Sequence, residues 1–326
     1  MPTVSEPDWL KSLFEKIKNA GFPLYGAVDL DTLDPAIFDP HVKRFETWIQ
    51  NNNHGEMGYL ERGLDRRKNP KLLMSEAKTL ISIAIPYRRS APVTQSGLKY
   101  ARYLQGPDYH KEIPKILEPI LSNFKHPELK TDFKYKICVD TSAVLERSWA
   151  SICGLGWIGK NTLLINPTWG SYLFLAEILI NQSSGVLPKN HKNYCGHCTR
   201  CLDACPTRAF LEPHLLDSKK CISYLTLEKR GEHATDTPIK QMGAWIAGCD
   251  VCQEVCPFNL KPSKMPESWP EDLDGILLTE LMQLDQETKD TYKNRVKNSS
   301  LSRVKFEDFK RNLSIAEKNI KKEPEN

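Results

Sequence analysis

The chain has 326 residues, 40% hydrophobic and 26% charged, with a net charge of +4. These values lie near the soluble globular average and exclude collagen-like, coiled-coil and wholly disordered chains, and the length fits two domains at ~150 residues each. No apolar run reaches the ~18 residues of a membrane span; the longest, Tyr172 to Ile180, is broken by Glu177.

Met1 to Ala20 is amphipathic, with no basic stretch leading into an apolar one, so no export signal is read there. A cytoplasmic protein is expected, and structural disulfides are rare in that compartment. The ten cysteines are therefore expected to serve metal binding or chemistry.

In chain order, Trp9, Leu10, Leu13, Phe14 and Ile17 recur at helical spacing, with Ser5 and Asp8 as a capping pair. Runs at Leu80–Pro86, Tyr135–Val139 and Tyr172–Ile180 read as strands of one sheet, whose parallel or antiparallel sense stays open. Helical patterns lie at Lys111–Ser122 and Ser142–Cys153, so residues 1–185 read as an α+β or α/β domain. Asn181–Gly185 (NQSSG) carries a flexible-linker signal. Residues 186–260 form a second domain holding eight of the ten cysteines, and Pro262, Pro266 and Pro270 lead into a charged, partly helical segment, 261–326. From Lys289 to Lys322 that segment carries eleven Lys and Arg against four acids, a net of +7, while Glu267–Glu287 has seven acids and no base. The basic stretch is either a solvated helical surface or a phosphate-facing patch.

The run Cys195-Gly-His-Cys198-Thr-Arg-Cys201-Leu-Asp-Ala-Cys205-Pro206 matches the bacterial ferredoxin spacing C-x2-C-x2-C-x3-C-P at every position. Three cysteines two residues apart wrap a short loop around three corners of a cuboidal cluster, and the fourth corner needs a distant cysteine. A truncated copy follows, Cys249-Asp-Val-Cys252-Gln-Glu-Val-Cys256-Pro257, with Cys221 between. Eight thiolates suffice for two [4Fe-4S] clusters. In two-cluster proteins the cysteine before Pro ligates the other cluster, which assigns Cys195, Cys198, Cys201 and Cys256 to one and Cys205, Cys221, Cys249 and Cys252 to the second. A pair of zinc knuckles explains neither the third cysteine at the same spacing nor the two Cys-Pro junctions. His197 reads as a surface residue, and Cys138 and Cys153 as buried apolar ones.

Gly154-Leu-Gly156-Trp-Ile-Gly159-Lys160-Asn161 satisfies G-x-G-x-x-G, but its glycines follow a helix and precede a strand, the reverse of a nucleotide-binding context. A glycine turn passing close to a flat or bulky ligand is expected instead, with Lys160 and Asn161 as its polar groups. Asp108-Tyr-His110-Lys-Glu-Ile113 resembles the D-x-H-x-x-G box of corrinoid proteins in which a histidine becomes the lower cobalt ligand, but Ile113 replaces the glycine; a helix start capped by Asp108 is the better reading. Asp140, between strand and helix patterns, is either a helix N-cap or a catalytic carboxylic acid at a strand's rim.

Taken together, VDTSAVLERSWASICGLGWIGKNTLLINPTWGSYLFLAEIL, CGHCTRCLDACPTRAF, CISYLTLEKRGE and GCDVCQEVCPFN resemble the epoxyqueuosine reductases, and so do MGYLERGLDRRKNP (Met57–Pro70), YARYLQGPDYH (Tyr100–His110) and FKRNLSIA (Phe309–Ala316). Other members often continue into a helical-repeat region, and this chain is read as a short form without it. The resemblance implies a nitroreductase-like, cobalamin-binding domain followed by a bacterial-type two-[4Fe-4S] ferredoxin-like domain. It implies reduction of epoxyqueuosine to queuosine in tRNA, with the clusters feeding electrons to cobalamin. It further implies Asp140 as proton donor, neutral through burial; Arg62, Arg102, Lys160, Asn161, Ser171, Ser223 and Asp250 as cobalamin contacts; and Lys229 and Arg230 as tRNA contacts. A monomer fed by a flavodoxin or ferredoxin system is expected. The competing readings are a corrinoid-dependent reductive dehalogenase-like enzyme acting on a small molecule and a two-cluster electron carrier.

Overall fold

The computed structural model describes residues 6–87, 97–129, 131–189, 191–260 and 287–321. Helix α1 (Asp8–Asn19) buries Trp9, Leu10, Leu13, Phe14 and Ile17, the stripe that their spacing predicts. Ser5 lies outside the described residues, Pro7 takes the cap position, and Asp8 inside the helix pairs with Lys11 at 2.8 Å. The Trp9 N–H instead donates to Glu128 Oε2 at 3.0 Å.

Four strands, β1 (Leu24–Asp29), β2 (Thr79–Pro86), β3 (Tyr135–Cys138) and β4 (Leu173–Ile180), form one sheet in the order β1-β2-β4-β3, antiparallel throughout. The three expected strands share that sheet; β1 was not foreseen because its short apolar run is broken by Gly26. That glycine is required, since a Cβ there would lie 2.1 Å from the Cys153 carbonyl oxygen. Strand β2 is buried along its whole length, so its continuous apolar run serves two cores. Ile81, Ile83 and Ile85 face α1 and α3 (Tyr109–Ser122). Leu80 and Ala84 face Phe38 of α2 (Pro35–Gln50) and Trp149 of α4 (Glu146–Ile152). Helix α4 begins four residues later than the pattern over Ser142–Cys153 suggests, and residues 139–145 form a loop in its place.

The segment expected as a flexible linker is fastened down. Ser183 Oγ and the Ser184 and Gly185 N–H groups donate to Asp29 Oδ2 at 2.5, 2.8 and 2.7 Å, so its polar residues answer a buried carboxylate. In the cysteine-rich region, Trp245–Ala247 pairs in parallel with Lys99–Tyr100, beside α5 (Ile222–Leu227). The C-terminal helices α6 (Lys289–Val296) and α7 (Phe306–Ile320) bring Tyr292, Val296, Phe309 and Leu313 onto Tyr100, Leu104 and Ile246. The basic segment therefore has an apolar packing face as well as a charged one. The three prolines and nearly all of the acidic run lie outside the described residues. No helix among the described residues is long and apolar enough to cross a membrane.

Candidate active site

Asp140 closes β3 and adopts φ +49°, a left-handed conformation that costs a non-glycine residue free energy unless its surroundings hold it. It is not a helix cap, because α4 starts six residues later with Leu145 at its cap position. Three contacts hold it. Its N–H donates to Glu146 Oε1, and its Oδ2 accepts from His110 Nε2 at 2.8 Å and from Arg303 Nη1 at 2.9 Å. The other ring nitrogen of His110, Nδ1, meets Asp108 Oδ1. Asp108 also accepts from the His110 N–H at 3.2 Å, so one carboxylate both caps α3 and orients the imidazole. Both ring nitrogens are thus engaged, and neither faces out as a cobalt ligand would.

Asp140 keeps 45% of its side chain open to water, yet burial is the largest influence on its carboxyl. Its carboxyl is thus reachable from water yet crowded by its neighbours. Burial raises its pKa, but His110 and Arg303 together outweigh burial and hold it below the ordinary value. These partners favour its carboxylate form, whereas the proton-donor role implied by the resemblance needs its neutral one. Burial lowers the pKa of His110 and its bonds to Asp108 and Asp140 raise it, for a net upward shift. Glu146 behaves oppositely to Asp140: burial first, then the neighbouring Asp140 charge, pushes it up to about 8. Tyr59, Tyr103 and Tyr109 lie within electrostatic reach of Asp140, as does Glu228 from the cysteine-rich side.

The eight cysteines form two neighbourhoods. Cys201 interacts electrostatically with Cys195, Cys256 and Cys198, and Cys256 with Cys195 and Cys198. Cys249 interacts with Cys221 and Cys205. Cys252 interacts with Cys249, Cys221 and, from the other set, Cys201, so the two quartets adjoin there. Trp157 Nε1 donates to Cys195 Sγ at 3.4 Å, and the Ala209 N–H to Cys205 Sγ at 3.3 Å. His197 is exposed, and Cys138 and Cys153 are buried.

The remaining expected site residues fall into groups. Arg102 and Asp250 meet: Arg102 Nη1 donates to Asp250 Oδ2 at 3.1 Å, Tyr172 Oη at 3.0 Å and Glu254 Oε1 at 2.8 Å. Burial nonetheless pushes Asp250 up to about 6. Ser171 Oγ donates to Gln253 Oε1 at 3.0 Å and accepts from Asn259 Nδ2 at 2.9 Å. Lys160 Nζ donates to the Gly196 carbonyl in the first cysteine loop at 2.7 Å. Asn161 is 3% exposed, and its Nδ2 has no partner among the described residues. Arg62 is exposed and Ser223 half-buried. Lys229 reaches Glu56 Oε1 at 2.6 Å, and Arg230 reaches Asp308 Oδ2 at 3.5 Å.

The glycines of residues 154–159 permit a close approach of protein, since a Cβ at Gly156 would lie 2.1 Å from the Ile165 carbonyl oxygen. Sequence reasoning passed over Glu146, Arg303 and Arg67. Arg67 is 7% exposed, its Nη1 lacks a partner among the described residues, and Gly63 leaves room for it beside Ala143. Its signals in the sequence are its place in the basic run Arg66-Arg67-Lys68 and in the segment Met57–Pro70 that carries part of the family resemblance.

Residues 67–141 match the family model "Epoxyqueuosine reductase QueG, DUF1730", and residues 194–259 match the "4Fe-4S double cluster binding domain" model. An epoxyqueuosine reductase of Cyclobacterium marinum is 38% identical over 86% of this chain and 89% of its own length. That of Pseudomonas aeruginosa is 35% identical over 96% and 86%. The chain belongs to the epoxyqueuosine reductase family. Among solved members, one determined with an epoxyqueuosine-modified tRNA-Tyr stem loop is 29% identical, with a TM-score of 0.80 over 97% of this chain and 82% of that one. The Streptococcus thermophilus reductase is 27% identical, with a TM-score of 0.81 over 96% and 82%. The family thus combines the four-stranded sheet domain with a double-cluster ferredoxin-like region, as the cysteine spacing predicts.

Proposed function

We propose that this chain reduces epoxyqueuosine to queuosine at the wobble position of tRNA. The observation that carries the reading is Asp140, water-accessible, held by three neighbours and within electrostatic reach of Glu228 from the cysteine-rich side. Membership of the family, with a relative solved on a modified stem loop, supports the same substrate and makes a small halogenated molecule the poorer fit. The reaction breaks the epoxide C–O bonds, takes up two electrons and two protons, and releases the oxygen as water with a cyclopentene left behind.

Residues 1–185 would hold the catalytic cleft, 186–260 the two [4Fe-4S] clusters, and 261–326 a segment returning to both. Cys195, Cys198, Cys201 and Cys256 would ligate one cluster and Cys205, Cys221, Cys249 and Cys252 the other; the two electrostatic neighbourhoods support this division. Electrons would arrive one at a time from a flavodoxin or ferredoxin system in the cytoplasm, to a monomeric enzyme.

Two buried donors would suit cobalamin. Arg67 Nη1 and Asn161 Nδ2 are buried donors without partners among the described residues, as a macrocycle edged with amide carbonyls requires. Cobalamin, when bound, supplies one-electron chemistry at the epoxide carbon. Asn161 would contact it, as would Arg62, Lys160 and Ser223, while Arg102, Ser171 and Asp250 would act through the network that joins them. The chain's own residues manage the proton. Asp108 fixes the His110 ring, His110 hands a proton to Asp140, and Asp140 delivers it to the departing oxygen. Lys229 and Arg230 would meet tRNA phosphate after exchanging their present carboxylate partners.

The test is mass spectrometry of nucleosides from epoxyqueuosine-containing tRNA, after anaerobic incubation with reconstituted protein, cobalamin and a strong reductant. Cobalamin-dependent formation of a nucleoside one oxygen lighter is expected; none, with clusters and corrinoid in place, overturns the reading.

A further inference from the structure

The two cysteine quartets sit at different depths. Beside Cys249 and Cys252, the residues Gly248, Asp250 and Gln253 are buried, whereas beside Cys195 and Cys198, the residues Tyr194, Gly196, His197 and Thr199 are exposed. Cys252 lies within electrostatic reach of Tyr172 of the sheet domain and of Cys201 of the outer quartet. An electron brought from outside therefore meets the outer quartet first, and the surface around that quartet selects the carrier.

That surface has an aromatic centre and a basic rim. The Tyr194 ring is 50% exposed and packs edge-on against Trp157 at 5.1 Å, and the same indole donates to Cys195 Sγ at 3.4 Å. An aromatic ring held by its neighbours yet open to water suits the centre of an interface, and here it stands one residue from a ligand sulfur. Lys192 and Arg200, both exposed, flank the loop that carries Cys195 and Cys198. Residues 189–208 hold Lys189, Lys192, Arg200 and Arg208 against Asp203 alone. Glu6 answers Lys189 at 3.0 Å, and the stretch stays net positive.

We propose that Tyr194, Lys192 and Arg200 form the docking surface for a small electron-carrier protein whose redox centre is ringed by carboxylates. The proposal rests on the reading of the two quartets as clusters that feed the reduction. In each encounter the carrier is oxidised by one electron and the outer cluster is reduced by one, with no bond made or broken. Two encounters supply the two electrons of one turnover. The basic rim steers an acidic partner and repels a basic one, and Tyr194 gives the contact its apolar centre.

The test is stopped-flow reduction of the full chain, with iron content confirming both clusters in every variant and loss of cluster absorbance as the signal. Reduced flavodoxin and reduced plant-type ferredoxin, both acidic, are the carriers, and photoreduced deazariboflavin is the uncharged control. Lys192→Glu combined with Arg200→Glu should slow reduction by a carrier about tenfold or more at low salt and leave reduction by deazariboflavin unchanged. The carrier rate of the unaltered protein should fall as salt rises, and that of the variant should not. Lys192→Arg with Arg200→Lys keeps both charges and should keep the rate. An undiminished carrier rate in the charge-reversed pair, an equal loss with deazariboflavin, or no reduction of the unaltered protein by either carrier overturns the proposal. A faster carrier rate after charge reversal also overturns it, and assigns this face to the chain's own acidic run, Glu267–Glu287. None of these rates needs the tRNA substrate, so unaltered protein that takes electrons from a carrier yet leaves the epoxide intact overturns the epoxide reading alone.

Discussion

Arg303 Nη1 donates to Asp140 Oδ2 at 2.9 Å across 163 residues of chain, so a C-terminal segment completes a site begun at the end of β3. Arg303 ends a short turn, Ser300–Arg303, between α6 and α7, and the packing of those helices on Tyr100 and Ile246 sets its position. Arg303→Ala removes one of two donors from Oδ2 and a cation from its vicinity. The Asp140 carboxyl should then titrate at higher pH, because Arg303 is among the causes that lower it. Carbon-detected NMR of labelled aspartate, with Asp140→Asn to assign the signal, measures the shift; an unmoved titration contradicts the contact. Asp140→Ala itself should cost 10²-fold or more in kcat while corrinoid and cluster absorbance stay unchanged.

The cysteine pairing predicts which cluster each substitution removes. Cys256→Ala should lose the cluster of Cys195, Cys198 and Cys201, although Cys256 is closer in sequence to Cys252 and Cys249. Cys205→Ala should lose the other. Each variant is expected to bind about half the iron of the unaltered protein, since each cluster has four cysteine ligands. Paramagnetic resonance of the reduced variants should give two different single-cluster spectra that together reproduce the two-cluster protein, apart from coupling. Identical spectra from both variants contradict the assignment.

The stability of the sheet domain should depend on Asp29. Its carboxylate is fully buried and accepts from the Asp31 and Thr32 N–H groups as well as from Ser183, Ser184 and Gly185. Burial raises its pKa, but these donors together bring it below the ordinary value of 3.8. A carboxyl whose folded pKa is depressed stabilises the fold above its unfolded pKa and loses that contribution as pH falls through the folded one. Asp29→Asn leaves several donors facing an amide, at a cost of about 3 kcal/mol near neutral pH. Denaturant unfolding of the cluster-loaded protein should show this difference at pH 7 and a smaller one once the pH drops below about 4. A difference independent of pH would mean that packing, rather than the charge, accounts for the loss.

The parts legible in the sequence were those with a fixed covalent spacing or a strict period. The eight cysteines announce two clusters because cluster geometry dictates the intervals between ligands, and β2 announces itself because both its faces are buried. The linker signal at Asn181–Gly185 misled because serines and a glycine that loosen a chain in water equally supply donors to a buried carboxylate. What answers them is Asp29, more than 150 residues away. The site around Asp140 was legible only in part for the same reason. The helix start capped by Asp108 was read correctly, but nothing in the sequence showed that His110 bridges two aspartates, while Glu146 and Arg303 meet Asp140 through a loop and a turn that no periodicity marks.

Phosphate contact predicts a salt signature. Lys229 and Arg230 lie at the end of α5 beside Arg303 and Arg311. Arg230 Nη2 donates to the Arg303 carbonyl at 3.1 Å, and Arg311 Nη2 to the Lys229 carbonyl at 3.2 Å. Each phosphate neutralised releases counterions and steepens the fall of affinity with salt. Stem-loop binding should weaken steeply between about 50 and 200 mM salt. Arg230→Ala should weaken it at every sequence tested and reduce the slope by about 1. A variant that keeps the slope while losing affinity would place Arg230 in folding, through Asp308, rather than in phosphate contact.

Trp157 offers a test of how the protein sets the electron supply. Its indole is buried on the short strand Trp157–Ile158, packed edge-on against Tyr194 and Phe258 at 5.1 and 4.9 Å. From there Nε1–H points at Cys195 Sγ. A donor to a ligand sulfur stabilises the more negative, reduced cluster, and such hydrogen bonds are among the factors that set cluster potentials. Trp157→Phe keeps the ring in place and removes the donor, so the cluster held by Cys195 should become harder to reduce. The cluster held by Cys205 keeps its own donor, the Ala209 N–H, and serves as the internal control. Potentiometric titration followed by paramagnetic resonance should therefore move one midpoint to more negative values and leave the other in place. Equal movement of both would indicate a change in solvent access to the whole region, and movement of neither would remove the indole from the control of potential.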